Sequence, residues 1–230
     1  MKNNHTWVIC AYGESEFLEA CILSLQAQTL SSKIICYSST PLDSIKQLCQ
    51  KYGIPFYTKE GGGIGKDWNN ALTFVETSYA TIAHQDDYYE PTYLEAVMQK
   101  IEQSKDILIA YTDYFEEKNG VKIPANTNLK IKTLMLKTLN LIPASRFWRN
   151  RVLAFGNPIS CPAVTYNLEL LRDFRFDEEM RVSLDWYAWY KISAYKGRFA
   201  YISEKLICHR IHGESETTKT ISDNTRTKED

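Results

Sequence analysis

The sequence predicts an α/β fold: a mostly parallel sheet flanked by helices, followed by a smaller mixed region. Three observations predict it. Apolar runs of strand length alternate with helical periodicity through the first hundred residues, and near residue 105 that alternation gives way to a hairpin pattern. The apolar run Tyr79-Ala80-Thr81-Ile82-Ala83 then leads directly into His84-Gln85-Asp86-Asp87. Charged groups are costly to bury unless compensated, and strand ends are where open α/β sheets hold their ligands.

Trp7 to Ala11 reads as a buried strand ending at a turn around Gly13, and Phe17, Leu18, Cys21, Ile22 and Leu25 then recur at helical spacing. Lys33 to Tyr37 is the second strand. Thr40-Pro41-Leu42-Asp43 supplies a helix start, with Thr40 as cap, Pro41 at the first helical position and an acid at the third. Ile45, Leu48 and Tyr52 continue that helix. Pro55 to Thr58 is a short third strand; Gly61-Gly62-Gly63 precedes a helix carrying Trp68, Leu72 and Val75. The strand before His84 and a helix after Pro91, with Leu94, Val97, Met98 and Ile101, complete a βαβαβαβ order, which argues for a parallel sheet covered on both faces. Beyond it, Ile107–Phe115 and Val121–Ile123 flank Lys118-Asn119-Gly120, a hairpin turn. Residues 129–153 are rich in Leu, Lys and Arg, with Phe147 and Trp148 set among Arg146, Arg149 and Arg151. An ordinary helix with snorkelling cations is the favoured reading there, ahead of a face turned to a membrane surface or an anionic acceptor. From Glu214 the chain is almost entirely polar, so the expected organisation is one domain over 1–213, divided near 105, and a polar tail over 214–230.

A chain of 230 residues, 44% hydrophobic, suits one large domain. Its net charge of −1 and the lack of a basic block exclude the electrostatic footprint of a nucleic-acid binder. The six cysteines have no C-x-x-C spacing and read as reduced core residues of a cytosolic protein. The N-terminal apolar run is too short for a signal peptide, and no window is long enough to span a bilayer. The expected location is cytoplasmic, with peripheral contact at the inner face of a membrane left open. Gly61–Gly65 lacks G-x-G-x-x-G spacing, and Gly65-Lys66 is followed by Asp67 rather than Ser or Thr, so neither a dinucleotide fingerprint nor a P-loop is present. Cys208, His209 and His212 lack the second ligand pair of a zinc site.

Five segments in order carry a resemblance. They are Val8–Gly13 with Phe17-Leu18 and Ser24–Thr29; Gly65–Leu72, ending Asp67-Trp68-Asn69-Asn70-Ala71-Leu72; His84-Gln85-Asp86-Asp87 with Pro91; Leu184-Asp185-Trp186-Tyr187-Ala188-Trp189; and His209-Arg210-Ile211-His212 with Ser215 and Thr217. Over about residues 6–217 the chain resembles a family 2 glycosyltransferase with the GT-A fold. The resemblance implies a nucleotide-sugar-binding half over about 1–105 and an acceptor-side half over about 106–213. It implies donor contacts at Ala11, Tyr12, Ser38, Ser39, Asn69, His84 and Asp86, a Mg²⁺ or Mn²⁺ ion on Asp86 and His212, and Asp185 as the base. Asp87, Trp186 and Arg210 would face the sugar or acceptor. Three positions depart from the pattern: Ser38-Ser39 replace the acidic pair after the second strand, His84 replaces the first acid of D-x-D, and Leu184 replaces the glutamate before the base.

The chemistry is consistent with these residue types. A divalent ion on carboxylate oxygens neutralises a departing diphosphate, and a positioned carboxylate accepts the proton of an attacking hydroxyl. His84 is left as a ribose or phosphate contact, a nitrogen ligand, or a strand-end histidine without one. His212 is left between a site role and a structural one, and Trp189 between a sugar platform and core. The expected activity is inverting transfer from a nucleoside diphosphate sugar, uridine first, to a hydroxyl of a glycan or lipid-linked acceptor, in cell-surface polysaccharide or glycoconjugate synthesis. A catalytically inactive nucleotide- or glycan-binding module and a nucleotidyltransferase stand as alternatives.

Overall fold

The structure, a computed structural model, describes residues 4–211. His212, Ser215, Thr217 and the polar tail lie outside the described residues. The first half follows the expected alternation: β1 (His5–Cys10), α1 (Leu18–Gln26), β2 (Lys33–Tyr37), α2 (Asp43–Lys51), β3 (Phe56–Tyr57), α3 (Ile64–Leu72), β4 (Tyr79–His84), a short β5 (Tyr88–Tyr89) and α4 (Tyr93–Glu102). The second half holds β6 (Ile107–Lys118), β7 (Val121–Ile123), α5 (Thr127–Leu139), α6 (Arg146–Leu153), a 3₁₀ turn at Cys161–Ala163, β8 (Val164–Asn167), α7 (Leu184–Ile192) and β9 (Arg198–Arg210).

One sheet runs through the molecule in the order β3-β2-β1-β4-β8-β6-β9-β5, with β7 paired to β6. The strands β3, β2, β1 and β4 are parallel, as their apolar, helix-separated runs require. From β4 onward the sheet is mixed: β8 is antiparallel to both β4 and β6, while β9 runs parallel to β6. The hairpin between β6 and β7 turns at Asn119 and Gly120, both with positive φ (52° and 77°), the conformation that Asn-Gly adopts most readily.

Two apolar layers cover the sheet. On one face Trp7, Ile9, Leu18, Ile22, Tyr93 and Leu94 form a core between β1, α1 and α4; on the other Ile109, Tyr111, Leu136, Val164, Phe176, Leu184 and Trp189 pack between the second-half strands and α5–α7. The cysteines are free, five of them buried and Cys10 half-buried.

Two local expectations change. Helix α2 begins at Asp43, its N-cap is Leu42, and no side chain caps it; the Thr40 hydroxyl instead accepts the Gly13 backbone N–H at 3.0 Å, tying the end of β2 to the turn after β1. Arg149 does not snorkel. It is buried, its guanidinium donates to the carbonyls of Pro143, Ser193, Tyr195 and Gly197, and it stacks on Phe199. It thereby pins α6 to the α7–β9 connection.

Candidate active site

The parallel strands end in register. Cys10 pairs with Tyr37 on one side and with His84 on the other, so Ala11, Ser38 and Gln85 follow side by side at one edge of the sheet. Gln85 clamps that edge: its Oε1 accepts the Tyr12 N–H at 3.1 Å and its Nε2 donates to the Tyr12 carbonyl at 2.8 Å. Ala11 is buried and donates to the Tyr37 carbonyl, whereas the Tyr12 ring stands in solvent.

His84, Asp86 and Asp87 each offer a ligand atom, and these atoms lie within 4.8 Å of one another. Asp87 is buried: Oδ1 accepts the Arg210 backbone N–H at 3.1 Å, and Oδ2 lies 3.9 Å from His84 Nδ1. Oδ2 of Asp87 and Nε2 of His84 have no hydrogen-bond partner among the described residues. Burial pushes the Asp87 carboxyl well above the ordinary carboxylate range, and the Asp86 charge adds to it, against the opposing hydrogen bond and charge of Arg210. Burial lowers the His84 imidazole, and His209 adds to that effect while Asp86 opposes it. The ring stacks on Trp68 at 5.6 Å. Two orphaned buried atoms in a nitrogen-and-oxygen donor set fit Mg²⁺ or Mn²⁺.

The arrangement revises the expected division of labour. Asp87, assigned to the acceptor, is instead buried within the His84–Asp86–Asp87 cluster. Arg210, also assigned to the acceptor, holds the cluster in place: Nη1 donates to the Asp86 carbonyl at 3.0 Å, Nε pairs with Glu117 at 3.4 Å, and the guanidinium lies over Phe17 and Tyr88. The Ser38 hydroxyl is buried and accepts the Thr40 N–H, so it is spent within its own turn. Ser39 instead donates to Asp67 Oδ2 at 2.7 Å, leaving Asp67 Oδ1 buried and without a hydrogen-bond partner among the described residues. Asn69 is occupied as well. Its amide accepts from the Phe176 N–H and donates to the Phe176 carbonyl and to Glu178, fastening α3 to the 176–178 segment. Gly65 permits that approach, since a Cβ there would meet the Asp177 carbonyl at 2.0 Å.

Asp185 is the second residue of α7. Its Oδ2 accepts from Asn157 Nδ2 at 2.8 Å and its Oδ1 accepts the Trp186 N–H at 2.8 Å. Burial raises its pKa, and the Asn157 hydrogen bond is the largest opposing influence. Burial raises the Tyr114 hydroxyl, with the charges of Glu116 and Asp113 next and those of Asp185 and Asp87 after them; burial likewise raises the Cys161 thiol, with Asp185 the next contributor. Trp186 is half-buried and its indole N–H is engaged by the Leu153 carbonyl at 2.8 Å, while Trp189 and Leu184 are core. Gln85 and Asp67 stand inside the motif segments without a role assigned from sequence, and Asn157 and Glu117 carry no motif at all. Their partners lie 28 to 93 residues away, and nothing local marks them.

A mixed sheet with a titratable cluster at the end of its parallel strand β4 is that of a GT-A-like α/β protein. Glycosyl transferase family 2 matches residues 6–160, and the chain belongs to that family. It is similar to the glycosyltransferase GlyA of Streptococcus pneumoniae serotype 4, at 24% identity over 123 residues covering 50% of this chain and 18% of that protein. The fold is similar to S. aureus TarS 1-349 in complex with UDP-GlcNAc (TM-score 0.72, 16% identity, 94% of this chain and 60% of that one). It is also similar to the mannosyltransferase PcManGT from Pyrobaculum calidifontis in complex with GDP-Man and Mn2+ (TM-score 0.71, 13% identity, 97% and 61%). The chain thus spans about 60% of these two solved chains and under a fifth of GlyA.

Proposed function

We propose that the protein transfers a sugar from a nucleoside diphosphate donor, UDP first, to a hydroxyl of a glycan or lipid-linked acceptor with inversion, in the synthesis of a cell-surface polysaccharide or glycoconjugate. The observation that carries this reading is the His84–Asp86–Asp87 cluster at the end of β4, together with the raised carboxyl of Asp185 at the start of α7. His84, Asp86 and Asp87 would hold Mg²⁺ or Mn²⁺, which when bound offsets the charge of the diphosphate. That TarS 1-349 and PcManGT were solved with UDP-GlcNAc and with GDP-Man and Mn2+ supports this assignment.

The chain's own residues then divide the work. Ser39 fixes the Asp67 carboxylate so that Oδ1 accepts an N–H of the base, restoring the acid that the second strand lacks. The exposed Tyr12 ring covers the nucleoside. Asp185 takes the proton of the acceptor hydroxyl as its oxygen attacks the anomeric carbon from the side opposite the diphosphate, which inverts that centre. Asn157 and the Trp186 N–H orient the carboxylate, and burial gives it more basicity than a solvated aspartate.

A ligand that binds only the folded state raises its melting temperature. In a thermal-shift series with UDP, GDP, ADP and CDP, UDP with Mn²⁺ should give the largest shift in the wild type. Asp86→Asn should lose the Mn²⁺-dependent part while melting normally without ligand. Equal shifts with and without Mn²⁺ in both proteins would remove the cluster from donor binding, and no shift with any nucleotide would favour an inactive glycan-binding module.

A further inference from the structure

From Lys118 to Leu168 the chain carries eight Lys and Arg residues and no Asp or Glu, although the whole chain has 27 and 28 of these. The segment covers β7, α5, α6 and β8. Arg149 is buried, Lys122 pairs with Glu90 and Lys132 donates to Tyr114. Lys118, Lys130, Lys137, Arg146 and Arg151 remain on the surface, and none takes part in an ion pair among the described residues.

The same segment holds seven of the twelve exposed large hydrophobic side chains among the described residues: Val121 on β7, and Ile131, Leu134, Leu141, Ile142, Phe147 and Phe155 on or beside α5 and α6. The three most exposed are Leu141 at 71%, Phe147 at 75% and Phe155 at 81%. Single exposed hydrophobic residues are ordinary, but a cluster marks an interaction surface. The placement is regular. Phe147, Arg151 and Phe155 follow at four-residue intervals along α6 and its end, Leu141 and Ile142 occupy the α5–α6 connection, and Lys130, Leu134 and Lys137 share the outer side of α5, where Lys205 of β9 joins them.

We propose that the α5–α6 face docks on the surface of an anionic lipid bilayer. Large apolar side chains interleaved with unpaired cations match such a surface in both respects: the apolar groups enter the headgroup boundary and the cations meet lipid phosphates. Neither signal alone anchors a protein firmly, and here the two coincide. Among the described residues no helix is long and apolar enough to cross a membrane, and the contact proposed is one on the bilayer surface. Docking of this face stands independently of the sugar-transfer reading. Its consequence rests on that reading: Phe155 precedes by two residues the Asn157 that holds Asp185, so a lipid-borne acceptor would arrive beside the base.

Sedimentation of the full chain with vesicles tests this. Binding should be strong to mixed phosphatidylcholine–phosphatidylglycerol vesicles, weak to phosphatidylcholine alone, and should fall with added salt. Arg146→Glu/Arg151→Glu should weaken binding to the mixed vesicles about tenfold or more. Leu141→Ser/Phe147→Ser should remove the part that survives high salt. All four residues are exposed, so both double variants should melt like the wild type. Unchanged vesicle binding in both variants would overturn the proposal. So would failure of the wild type to bind at low salt, or a dimer that the Leu141→Ser/Phe147→Ser variant abolishes without any vesicle binding, which would assign the face to a second copy.

Discussion

In the N-terminal half the site is made of strand ends held in register: Cys10 lies between Tyr37 and His84, and whatever follows each strand falls at the same edge. In the C-terminal half it is assembled by reach. Asn157 crosses 28 residues to hold Asp185, and Arg210 crosses more than 120 to hold the backbone of Asp86 and the side chain of Asp87. The first arrangement tolerates changes of residue type, because backbone pairing sets the positions. The resemblance expects acids where Ser38-Ser39 and His84 stand, yet a carboxylate still reaches Ser39 from Asp67 on α3. The second depends on particular side chains whose loss nothing adjacent replaces.

That contrast predicts where function separates from binding. The largest effect is expected at Asp185. Asp185→Asn keeps the side-chain shape but removes the basicity, so nucleotide binding should persist while transfer falls about 10²–10⁴-fold. Near-normal transfer, measured beside nucleotide-induced melting shifts on the same protein, would reduce Asp185 to a first-turn acid favoured by the helix dipole.

Asp67→Asn probes the other half and should produce a smaller, more selective change. A charge-assisted hydrogen bond to a base N–H contributes about 1.5–3 kcal/mol, so discrimination between UDP and the other nucleotides should narrow by roughly 10–100-fold. Turnover at saturating donor should stay close to the wild type. Titration of each nucleotide decides it: an unaltered order of affinities would take Asp67 out of base recognition.

The smallest effect belongs to Asn157, whose hydrogen bond favours the Asp185 anion and opposes the rise caused by burial. The transfer rate should climb with pH through the folded pKa of Asp185, which lies above the ordinary carboxylate value. Asn157→Ala should move that limb to higher pH, with a plateau rate above that of Asp185→Asn. Stability runs the opposite way. A carboxyl whose folded pKa is raised holds its proton more tightly when native, so its contribution declines as pH rises from the unfolded value to the folded one, then levels off. A pH–rate profile of Asn157→Ala that overlies the wild type would leave Asn157 with no part in tuning the base.

The order of strands and helices through α4, apart from the two-residue β5 that pairs with the distant β9, the β6–β7 hairpin and the fold class were legible in the amino-acid sequence. Each rests on local periodicity or on turn residues whose backbone preference acts within a few positions. The candidate carboxylate Asp86 was legible too, as a charge at the end of an apolar strand, whereas Asp185 became a candidate only through the family resemblance. Local signals were less faithful where a tertiary contact competed: Thr40 is drawn away from capping α2 by the Gly13 N–H, and Arg149 leaves the surface for four carbonyls. What only the tertiary structure decided is which polar groups meet. Asn69 binds Phe176 and Glu178, Ser39 binds Asp67, and Asp87 turns inward to the Arg210 backbone. Each of these contacts satisfies a group that would otherwise be stranded on burial, and its partner comes from a distant element. The sequence by itself determined where strands end and which charges gather there; packing determined which of those charges remain free to act.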